Sequence, residues 1–410
     1  MKQLSKIFYW TILGVLLLHI SFAQNTWIQK ASFIASRYQT ISFSIGSKGY
    51  VGTGRDLNMT SHADIWEYDP GTDTWTQKAN VPGGGRFGAI AFAIGNVGYV
   101  GTGTFNGGNF MDDFYEYNPA FNSWTQKANF PNQGRYHAVG FSDGNNLAYA
   151  GTGVGVNSSL LSDFYEYNPS TDIWSQKADL PGTGRYGASG FGFNGFAYIG
   201  LGQITSIGNN TATLYQYDPG QNSWNSKADF PGTTRAYCSS FTLNDNAYIC
   251  SGIDTIAPYY LNELYAYNFS TDQWSIKASL PVVGRYAGTG FSIGSSGYVA
   301  TGYTNFTVAQ SDLWEYTPSS GTGTAELTHE SISIYPNPAS DFININCKIP
   351  NGAIANLYAQ NGSKLLKSNI SLISEKQNQI NIKDLPSGFY YILLKNERGE
   401  TLGIKKFLKF

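Results

Sequence analysis

Histidine and cysteine, the residues that most often build metal and redox sites, are scarce in this sequence. The 410 residues include 4 histidines and 3 cysteines, and beyond residue 24 the histidines are His62, His137 and His329. They form no Cys/His spacing typical of a metal site, and no Ser/His/Asp set typical of a hydrolase stands out. We therefore predict no catalytic residues, no metal and no cofactor, which favours a protein other than an enzyme but leaves that question open.

Charged residues are also scarce, at 13% of the chain, and the basic ones do not cluster. Of the 14 basic residues between positions 25 and 330, twelve recur singly at regular intervals. Nucleic-acid binding needs such residues concentrated on one surface. We expect no nucleic-acid partner.

Aromatic residues and glycine, by contrast, are abundant: the chain is 15% aromatic and has 47 glycines. Aromatic side chains favour the half-buried faces of β-sheets, and glycine marks the tight turns between short strands. The composition predicts an ordered, all-β protein.

The first 23 residues have the pattern of a signal peptide. Lys2 and Lys6 precede an apolar stretch from Ile7 to Ile20, and small residues stand at Ser21 and Ala23. An uncleaved membrane anchor is the alternative, but a spanning helix needs about 20 apolar residues and this stretch is shorter. We predict a signal peptide over residues 1–23 and no later membrane-spanning helix.

The strongest signal is a unit repeated six times. A Trp-x-x-Lys-Ala motif recurs every 48 to 50 residues and is followed each time by an arginine, then by a tyrosine, a Gly-x-Gly-like segment, a variable loop and an aromatic strand. The tryptophans are Trp27, Trp75, Trp124, Trp174, Trp224 and Trp274, and the arginines are Arg37, Arg86, Arg135, Arg185, Arg235 and Arg285.

This unit resembles the kelch repeat, in which four strands, a to d, make one blade of a β-propeller. The resemblance covers residues 27–318 and implies a six-bladed propeller over 24–318, although the paired glycines of the family are here split by a threonine. In the family's order the arginine opens strand a and the tryptophan lies on strand d. The mature chain begins with a d strand at Trp27 and the repeats end with a c strand at Tyr316, so we expect the N-terminal strand to complete the last blade.

The candidate ligand site lies where the d–a and b–c connections emerge. The variable b–c loops are residues 55–63, 104–111, 154–162, 203–212, 253–262 and 303–311. Six arginines around one channel mouth would focus a positive potential, and guanidinium forks suit carboxylates, so the expected ligand is an acidic peptide or an anionic sugar. The resemblance supports this, since kelch substrate adaptors use arginine at this repeat position to hold acidic peptides. The alternative is that each arginine bonds loop carbonyls or acids of its own blade, such as Glu67, Glu116, Glu166 and Glu315. The loop aromatics Phe105, Tyr259, Tyr260, Tyr303 and Phe306 are candidates for stacking on sugars.

Two functions remain open from these residues. The first is a binding or adhesion module for a glycan or protein ligand outside the cell. The second is a sugar mutarotase similar to the six-bladed sialic-acid epimerases, working by acid–base exchange near the channel. A copper oxidase of the galactose-oxidase kind, which also has kelch repeats, would need histidine ligands that this chain lacks.

Two cysteines fall at facing positions of one predicted hairpin. Cys238 lies on strand a and Cys250 on strand b of the fifth unit, on either side of the turn at Asn244–Asn246. Export permits a disulfide there. The equivalent positions of other units hold small residues, so the alternative is that both cysteines are simply small residues of the core.

The last 80 residues differ from the rest. Residues 319–330 are rich in Ser, Gly and Thr, a composition that predicts a linker. The net charge also changes, from −9 over residues 25–330 to +5 over residues 331–410. Four landmarks follow one another in this part of the chain: Tyr335-Pro336-Asn337-Pro338, Asn361-Gly362, Leu385-Pro386-Ser387-Gly388 and a final basic strand. Their order resembles that of the type A sorting domain of the type IX secretion system.

That resemblance implies an Ig-like β-sandwich over residues 331–410, recognised by the type IX machinery, and a protein secreted or held at the outer cell surface after crossing the periplasm. A carbohydrate-binding sandwich is the alternative, but no aromatic platform supports it.

Overall fold

The computed structural model describes residues 25–105, 108–205, 209–255, 259–304, 307–318, 332–347, 353–359, 365, 370–372, 378–395 and 401–410. The chain divides into two compact units, Met1–Ser320 and Gly321–Phe410. The predicted signal peptide (1–23) and linker (319–330) lie outside the described residues.

The first unit contains six four-stranded antiparallel sheets, the blades of a propeller. In blades 1 to 5 the strands a to d follow one another along the chain. Blade 1 consists of β2 (Ile41–Ile45), β3 (Lys48–Gly52), β4 (Ile65–Asp69) and β5 (Thr74–Lys78); blade 2 of β6 (Ile90–Ile94), β7 (Val97–Gly101), β8 (Phe114–Asn118) and β9 (Ser123–Lys127); blade 3 of β10 (Val139–Ser142), β11 (Ala148–Gly151), β12 (Phe164–Asn168) and β13 (Ile173–Lys177).

The remaining blades repeat this order, except that the last strand of blade 6 comes from the start of the chain. Blade 4 consists of β14 (Ser189–Phe193), β15 (Phe196–Gly200), β16 (Leu214–Asp218) and β17 (Ser223–Lys227); blade 5 of β18 (Ser239–Leu243), β19 (Asn246–Cys250), β20 (Leu264–Asn268) and β21 (Gln273–Lys277); blade 6 of β22 (Thr289–Ile293), β23 (Ser296–Ala300), β26 (Leu313–Thr317) and β1 (Thr26–Lys30). The b–c loops contain a short 3₁₀ turn, Val156–Ser158, and a two-stranded ribbon of β24 (Tyr303–Thr304) and β25 (Val308–Ala309).

The core lies between blades and is built from the repeated aromatic residues. On each a–b hairpin a phenylalanine faces a tyrosine, as Phe43 faces Tyr50 with ring centroids 5.0 Å apart. The Phe43 ring then packs on the next blade over Gly98, where a Cβ would come within 2.3 Å of it. This position of strand b must therefore be small because a larger side chain would displace the neighbouring blade's ring, and it is glycine in blades 1, 2 and 6 and alanine in blades 3 to 5.

A second repeated contact joins neighbouring blades near strand d. Each Trp-x-x-Lys-Ala tryptophan donates its indole N–H to an alanine carbonyl of the preceding blade, as Trp75 does to Ala31 at 2.9 Å. The Asn or Asp two residues before the tryptophan accepts from the buried tyrosine of strand c, as Asp73 accepts from Tyr68 at 2.7 Å. These bonds satisfy the polar tips of buried aromatic residues, which would otherwise destabilise the core.

The N-terminal strand uses the same contacts to close the ring. In β1, Trp27 lies opposite Tyr316 and its indole donates to the carbonyl of Ala278 at 2.7 Å. Asn25 accepts from the Tyr316 hydroxyl at 2.7 Å. Blade 6 therefore has the same four strands as the others, and its c strand has no open edge.

The second unit is a small β-sandwich. One sheet consists of β27 (Ile332–Tyr335), β28 (Phe342–Cys347) and β31 (Asn378–Asn381), and the other of β30 (Ile370–Leu372), β29 (Ala353–Ala359), β32 (Gly388–Lys395) and β33 (Thr401–Lys409). Both sheets contribute to one apolar core, with Ile343 and Ile345 from the first and Leu357, Ile392 and Phe407 from the second. Alternating side chains of two facing sheets are what a sandwich requires.

Candidate functional site

The six repeated arginines lie at one end of the propeller, in the d–a connections. In an antiparallel blade the d–a and b–c connections emerge at the same end, which we call the mouth. The sequence predicted that each arginine opens strand a, but each lies four residues before it, as Arg86 precedes β6 at Ile90. The three residues between arginine and strand lie at the mouth: the first pairs with the b–c loop of its own blade, as Phe87 does with Thr104, and the other two line the channel.

All six arginine side chains are buried, with exposed fractions of 0 to 3%. Each donates through Nη1 to the carbonyl of the middle residue of the Gly-x-Gly-like segment in its own blade. These acceptors are Thr53, Thr102, Thr152, Leu201, Ser251 and Thr301. The middle residues all have a positive φ, between 52° and 63°, so the arginine holds a turn that a non-glycine residue adopts only at a cost.

Five of the six arginines are also neutralised by an acid at the start of strand c. Arg37, Arg86, Arg135 and Arg285 make two-pronged bonds of 2.5 to 2.8 Å to Asp64, Asp113, Asp163 and Asp312, and Arg235 lies 3.3 Å from Glu263. Burial alone would raise the pKa of Asp163, but hydrogen bonds and the charge of Arg135 hold that pKa below its usual value. In blade 4 the partner is the hydroxyl of Thr213, at 3.1 Å.

The six arginines therefore do not present a ring of free guanidinium groups at the mouth. Their bonds to loop carbonyls and blade acids match the structural alternative raised from the sequence. The partner acids, however, are not the glutamates that we expected: Glu67, Glu116, Glu166 and Glu315 accept instead from the tyrosines of strand b, as Glu116 does from Tyr99 at 2.8 Å. Those glutamates point along the blade, away from the arginines, because strand c reverses side-chain direction at each residue.

Backbone hydrogen bonds close two rings around the mouth. The last glycine of each Gly-x-Gly-like segment donates to the carbonyl of the next blade's arginine, as Gly54 does to Arg86 at 2.8 Å. The second residue after each arginine bonds its equivalent in the neighbouring blade, and this ring runs through Gln39, Gly88, His137, Gly187, Tyr237 and Ala287 without a break. The mouth is thus a rigid frame whose backbone groups are used internally.

His137 and Tyr237 both belong to the second of these backbone rings, and their side chains meet across the central channel that the ring encloses. The Tyr237 hydroxyl lies 3.1 Å from Nδ1 of His137. A Cβ on Gly88 would lie 2.5 Å from the His137 ring and one on Gly187 would lie 3.0 Å from the Tyr237 ring, so glycine at these two positions makes room for the pair. Nε2 of His137 is enclosed and has no partner among the described residues.

The channel around this pair is narrow. It forms a cavity of about 120 Å³ lined by the second and third residues after each arginine. Ligand pockets are usually about 300 to 1,000 Å³, so the channel itself is too small for a sugar ring. Burial, together with the charge of Arg55, lowers the pKa of His137 to about 3, and burial raises the pKa of Tyr237 well above its usual value. Both groups are neutral at physiological pH.

Aromatic rings surround the mouth in an almost complete circle, which we call the aromatic collar. It comprises Tyr38, Phe87, Tyr136, His137, Tyr186, Tyr237, Tyr286 and Tyr303. Neighbouring ring centroids around the circle are 4.4 to 6.1 Å apart, in the order Phe87, Tyr136, His137, Tyr237, Tyr286, Tyr303 and Tyr38. The ring of Tyr186 lies beside this circle, with its centroid 5.9 Å from that of Tyr237.

Arg55 occupies the one gap in the collar, between Tyr38 and Phe87. Its guanidinium carbon lies 5.0 Å and 4.2 Å from the two ring centroids. The side chain is half-buried, its Nε is enclosed without a hydrogen-bond partner, and it forms no ion pair within the described part of the chain. The collar therefore holds one positive charge that no acid of the blades neutralises.

The loop aromatics proposed from the sequence divide into two groups. Tyr303 belongs to the collar, and Tyr260 lies beside it with its ring 5.9 Å from Tyr286. Phe105 and Tyr259 are 43% and 45% exposed on loop tips, and Phe306 lies outside the described residues. Most of the collar was missed, although an aromatic residue follows the arginine in five of the six units.

Arg55 was missed as well, and a signal for it existed. Of the 14 basic residues between positions 25 and 330, Lys48 and Arg55 are the two that do not belong to the repeated set. A charge outside a repeat is not needed for the repeated frame. Lys48 has a partner, Asp69, at 2.5 Å.

Cys238 and Cys250 are both free, so the possible disulfide is not formed. Both side chains pack in the propeller interior, and burial raises the pKa of each thiol to about 12. They act as small interior residues, with Cys238 lining the channel. In the part of the chain that the structure describes, no group of three His, Cys, Asp or Glu side chains could hold a metal ion, and no helix there is long and apolar enough to cross a membrane.

Comparisons with known proteins identify the second unit and the fold of the first. A family described as the secretion system C-terminal sorting domain matches residues 333–409. The fold is similar to that in the solved structure of YjhT, with a TM-score of 0.61, 20% sequence identity, and coverage of 72% of this chain and 98% of that chain. No curated protein matches.

These findings confirm the predicted sorting domain and the predicted propeller. The protein is exported by the type IX secretion system to the cell surface or beyond, and its second unit interacts with that machinery. At 20% identity the likeness to YjhT shows the fold alone.

Proposed function

We propose that this exported propeller is a binding protein for acidic carbohydrate, and that its aromatic collar receives a sugar unit carrying a carboxylate. The observation that carries the proposal is Arg55. It is a half-buried guanidinium in an aromatic setting, and the described blades provide it with no counter-charge. A planar guanidinium fork matches a carboxylate, and a low-dielectric aromatic surround strengthens that interaction.

The collar suits a sugar better than a purely ionic ligand. Tyr136, Tyr186 and Tyr286 are half-buried, so each offers part of a ring face together with a hydroxyl. Burial raises the pKa of Tyr286 to about 12, which keeps its hydroxyl protonated and able to donate. Flat apolar faces beside hydroxyl donors are what stacking on a sugar ring requires.

Space for neighbouring sugar units exists next to the collar. A groove of about 570 Å³ lies between the b–c loops of blades 2 and 3, lined by Asn109, Phe110, Val156, Asn157 and Ser158 together with Gly108. The ring of Phe110 stacks on Tyr136 of the collar, with centroids 5.4 Å apart. This volume is within the usual range for ligand sites, whereas the channel below is not.

Mutarotation of a sugar is the second candidate, because the His137–Tyr237 pair of the collar offers a proton acceptor and a donor. The pKa values argue against it. General acid–base catalysis works best with groups that titrate near the working pH, whereas the pKa of His137 is lowered to about 3 and that of Tyr237 is raised well above its usual value. We therefore favour binding.

Calorimetric titration of the full-length exported chain tests the proposal. The probes are trigalacturonic acid and neutral galactotriose, compared on the wild type and on Arg55→Gln, Arg55→Lys and Lys48→Gln variants. We expect the wild type to prefer the acidic probe, Arg55→Gln to weaken it at least tenfold, and Arg55→Lys to recover part of the affinity. Lys48→Gln is the matched control, because it removes one charge at the opposite end of blade 1.

Three outcomes would contradict the proposal. Equal affinity for both probes with no effect of Arg55→Gln would remove Arg55 from the site. Tighter binding of an Asp/Glu hexapeptide than of either sugar would indicate a protein ligand. Faster anomer exchange of free galacturonic acid in NMR spectra, lost in His137→Gln, would indicate the mutarotase.

A further inference from the structure

Blade 4 differs from the other five at one position of the repeated frame. The acid that neutralises the buried arginine is Asp64, Asp113, Asp163, Glu263 or Asp312 in the other blades, and Thr213 in blade 4. Arg185 is nevertheless retained and is 3% exposed. Blade 4 thus keeps the buried cation but lacks the anion.

The hydrogen bonds of Arg185 do not compensate for the missing acid. Its Nη1 donates to the carbonyl of Leu201 and the hydroxyl of Thr213, at 3.3 and 3.1 Å, and both are neutral acceptors. Its Nε is enclosed without a hydrogen-bond partner among the described residues, and both of its side-chain hydrogen bonds seen there come from Nη1. Burial accordingly lowers the pKa of Arg185. A buried charge without a counter-charge is strongly unfavourable, so its retention calls for an anion from outside the chain.

Space for that anion is visible when blades 2 and 4 are compared. Gly83 and Gly182 occupy the same place, three residues before the arginine, with φ of 79° and 83°. A Cβ on Gly83 would lie 2.3 Å from Oδ2 of Asp113 and 2.7 Å from Nη2 of Arg86, whereas a Cβ on Gly182 would meet no atom within 4 Å. The volume that the carboxylate and guanidinium tip fill in blade 2 is therefore open in blade 4.

We propose that a small monovalent anion, either a carboxylate group or a halide ion, binds beside Arg185 in blade 4, where Asp113 places its carboxylate in blade 2. The anion accepts hydrogen bonds from the Arg185 guanidinium and so replaces the Thr213 hydroxyl as its main partner. The Thr213 hydroxyl in turn donates a hydrogen bond to the anion. The two-pronged pairs of blades 1, 2, 3 and 6 show the geometry that such a complex adopts. This site is separate from the collar and does not depend on the function proposed for it.

The experiment compares Thr213→Asp with Thr213→Asn in the full chain. The two replacements have the same shape, but only the aspartate supplies the missing charge. Melting temperatures are measured with increasing sodium formate or sodium chloride at constant ionic strength. We expect the wild type and Thr213→Asn to gain about 3 to 6 °C from at least one of these anions, because a ligand that binds only the folded state stabilises it. Thr213→Asp should melt higher without added anion and respond to neither.

The two salts distinguish the sources of the anion: a larger response to formate supports a carboxylate ligand, and a larger response to chloride supports a halide ion. An identical salt response of all three proteins overturns the proposal. If Thr213→Asp fails to fold, wild-type crystals grown in formate or soaked in bromide provide the second measurement. Density or an anomalous peak beside Arg185 would support the site, and their absence under both conditions would overturn it.

Discussion

The seven arginines of the propeller fall into two groups with opposite surroundings. The repeated ones are buried in the wall of the mouth, and five of them are paired with an acid of their own blade. Arg55 stands in the collar between two aromatic rings, and no acid of the described residues pairs with it. The same guanidinium chemistry therefore holds the frame in one place and is left available for a ligand in the other. In this protein, what recurs six times maintains the fold, and what occurs once is the better guide to function.

Removing a strand of the frame should have the largest effect. A variant that begins at Phe33 lacks β1, so Trp27 is lost and the c strand of blade 6 has an open edge. Loss of one buried tryptophan costs about 3–5 kcal/mol of a stability that is typically about 5–15 kcal/mol. We expect this variant to aggregate or to melt far below one that begins at Gln24.

The matched control for that deletion is a chain ending at Ser320, which keeps all six blades and should melt like the full-length propeller. Equal melting temperatures for the two N-terminal starts would contradict the shared sixth blade.

Acid should weaken the frame through its aspartates. Burial tends to raise the pKa of Asp64, Asp163 and Asp312, but bonds and charge from their arginines leave each pKa lower than usual. The unfolded chain then binds protons at higher pH than the folded one. The stability from these groups is complete above about pH 4, the ordinary aspartate pKa, and is lost as the pH falls further through their lowered values.

Urea titrations between pH 7 and pH 2 check this, with the midpoint expected to be nearly constant down to about pH 5 and to fall steeply below pH 4. A midpoint that falls between pH 7 and pH 5 would indicate that other groups, and not these aspartates, control stability.

A single neutralisation in the frame should have a smaller effect. Asp113→Asn leaves Arg86, which is fully buried, without its counter-charge. Removing one partner of a buried ion pair costs about 3 kcal/mol, since the other charge remains in the interior. We expect chemical denaturation to show this loss, and a loss below about 1 kcal/mol would mean that Arg86 reaches solvent in the variant.

The sequence was sufficient for the fold because the repeat is a geometric requirement. The six tryptophans and glycines mark contacts between blades, so their spacing predicted six blades, and the landmarks from Tyr335 onwards predicted the sorting domain. The arginines were the harder case. Repetition shows that a residue is needed in every unit, but it does not show whether that residue faces a ligand or an acid. The repeated glutamates that the sequence offered as partners, such as Glu67, bond a tyrosine of strand b instead.

An aromatic residue after five of the six arginines was visible in the sequence, but the contacts that assemble the collar could not be predicted because they arise from closure of the ring. Tyr237 and His137 are 100 positions apart and meet only because the ring brings blades 3 and 5 to one channel. Arg55 joins Phe87 of the next blade for the same reason. Contacts that depend on the radius of the ring leave no local pattern in the sequence.

The most direct test of this division measures stability and binding together in Arg55→Gln and Asp113→Asn. We expect Arg55→Gln to change the unfolding free energy by less than about 1 kcal/mol, because cation–π contacts and a half-buried interaction with the Tyr38 hydroxyl are lost but no ion pair is broken among the described residues. It should also weaken binding of trigalacturonic acid at least tenfold. Asp113→Asn should lose about 3 kcal/mol yet bind the acid normally below its melting temperature. Normal binding by Arg55→Gln, or loss of binding by folded Asp113→Asn alone, would contradict the account.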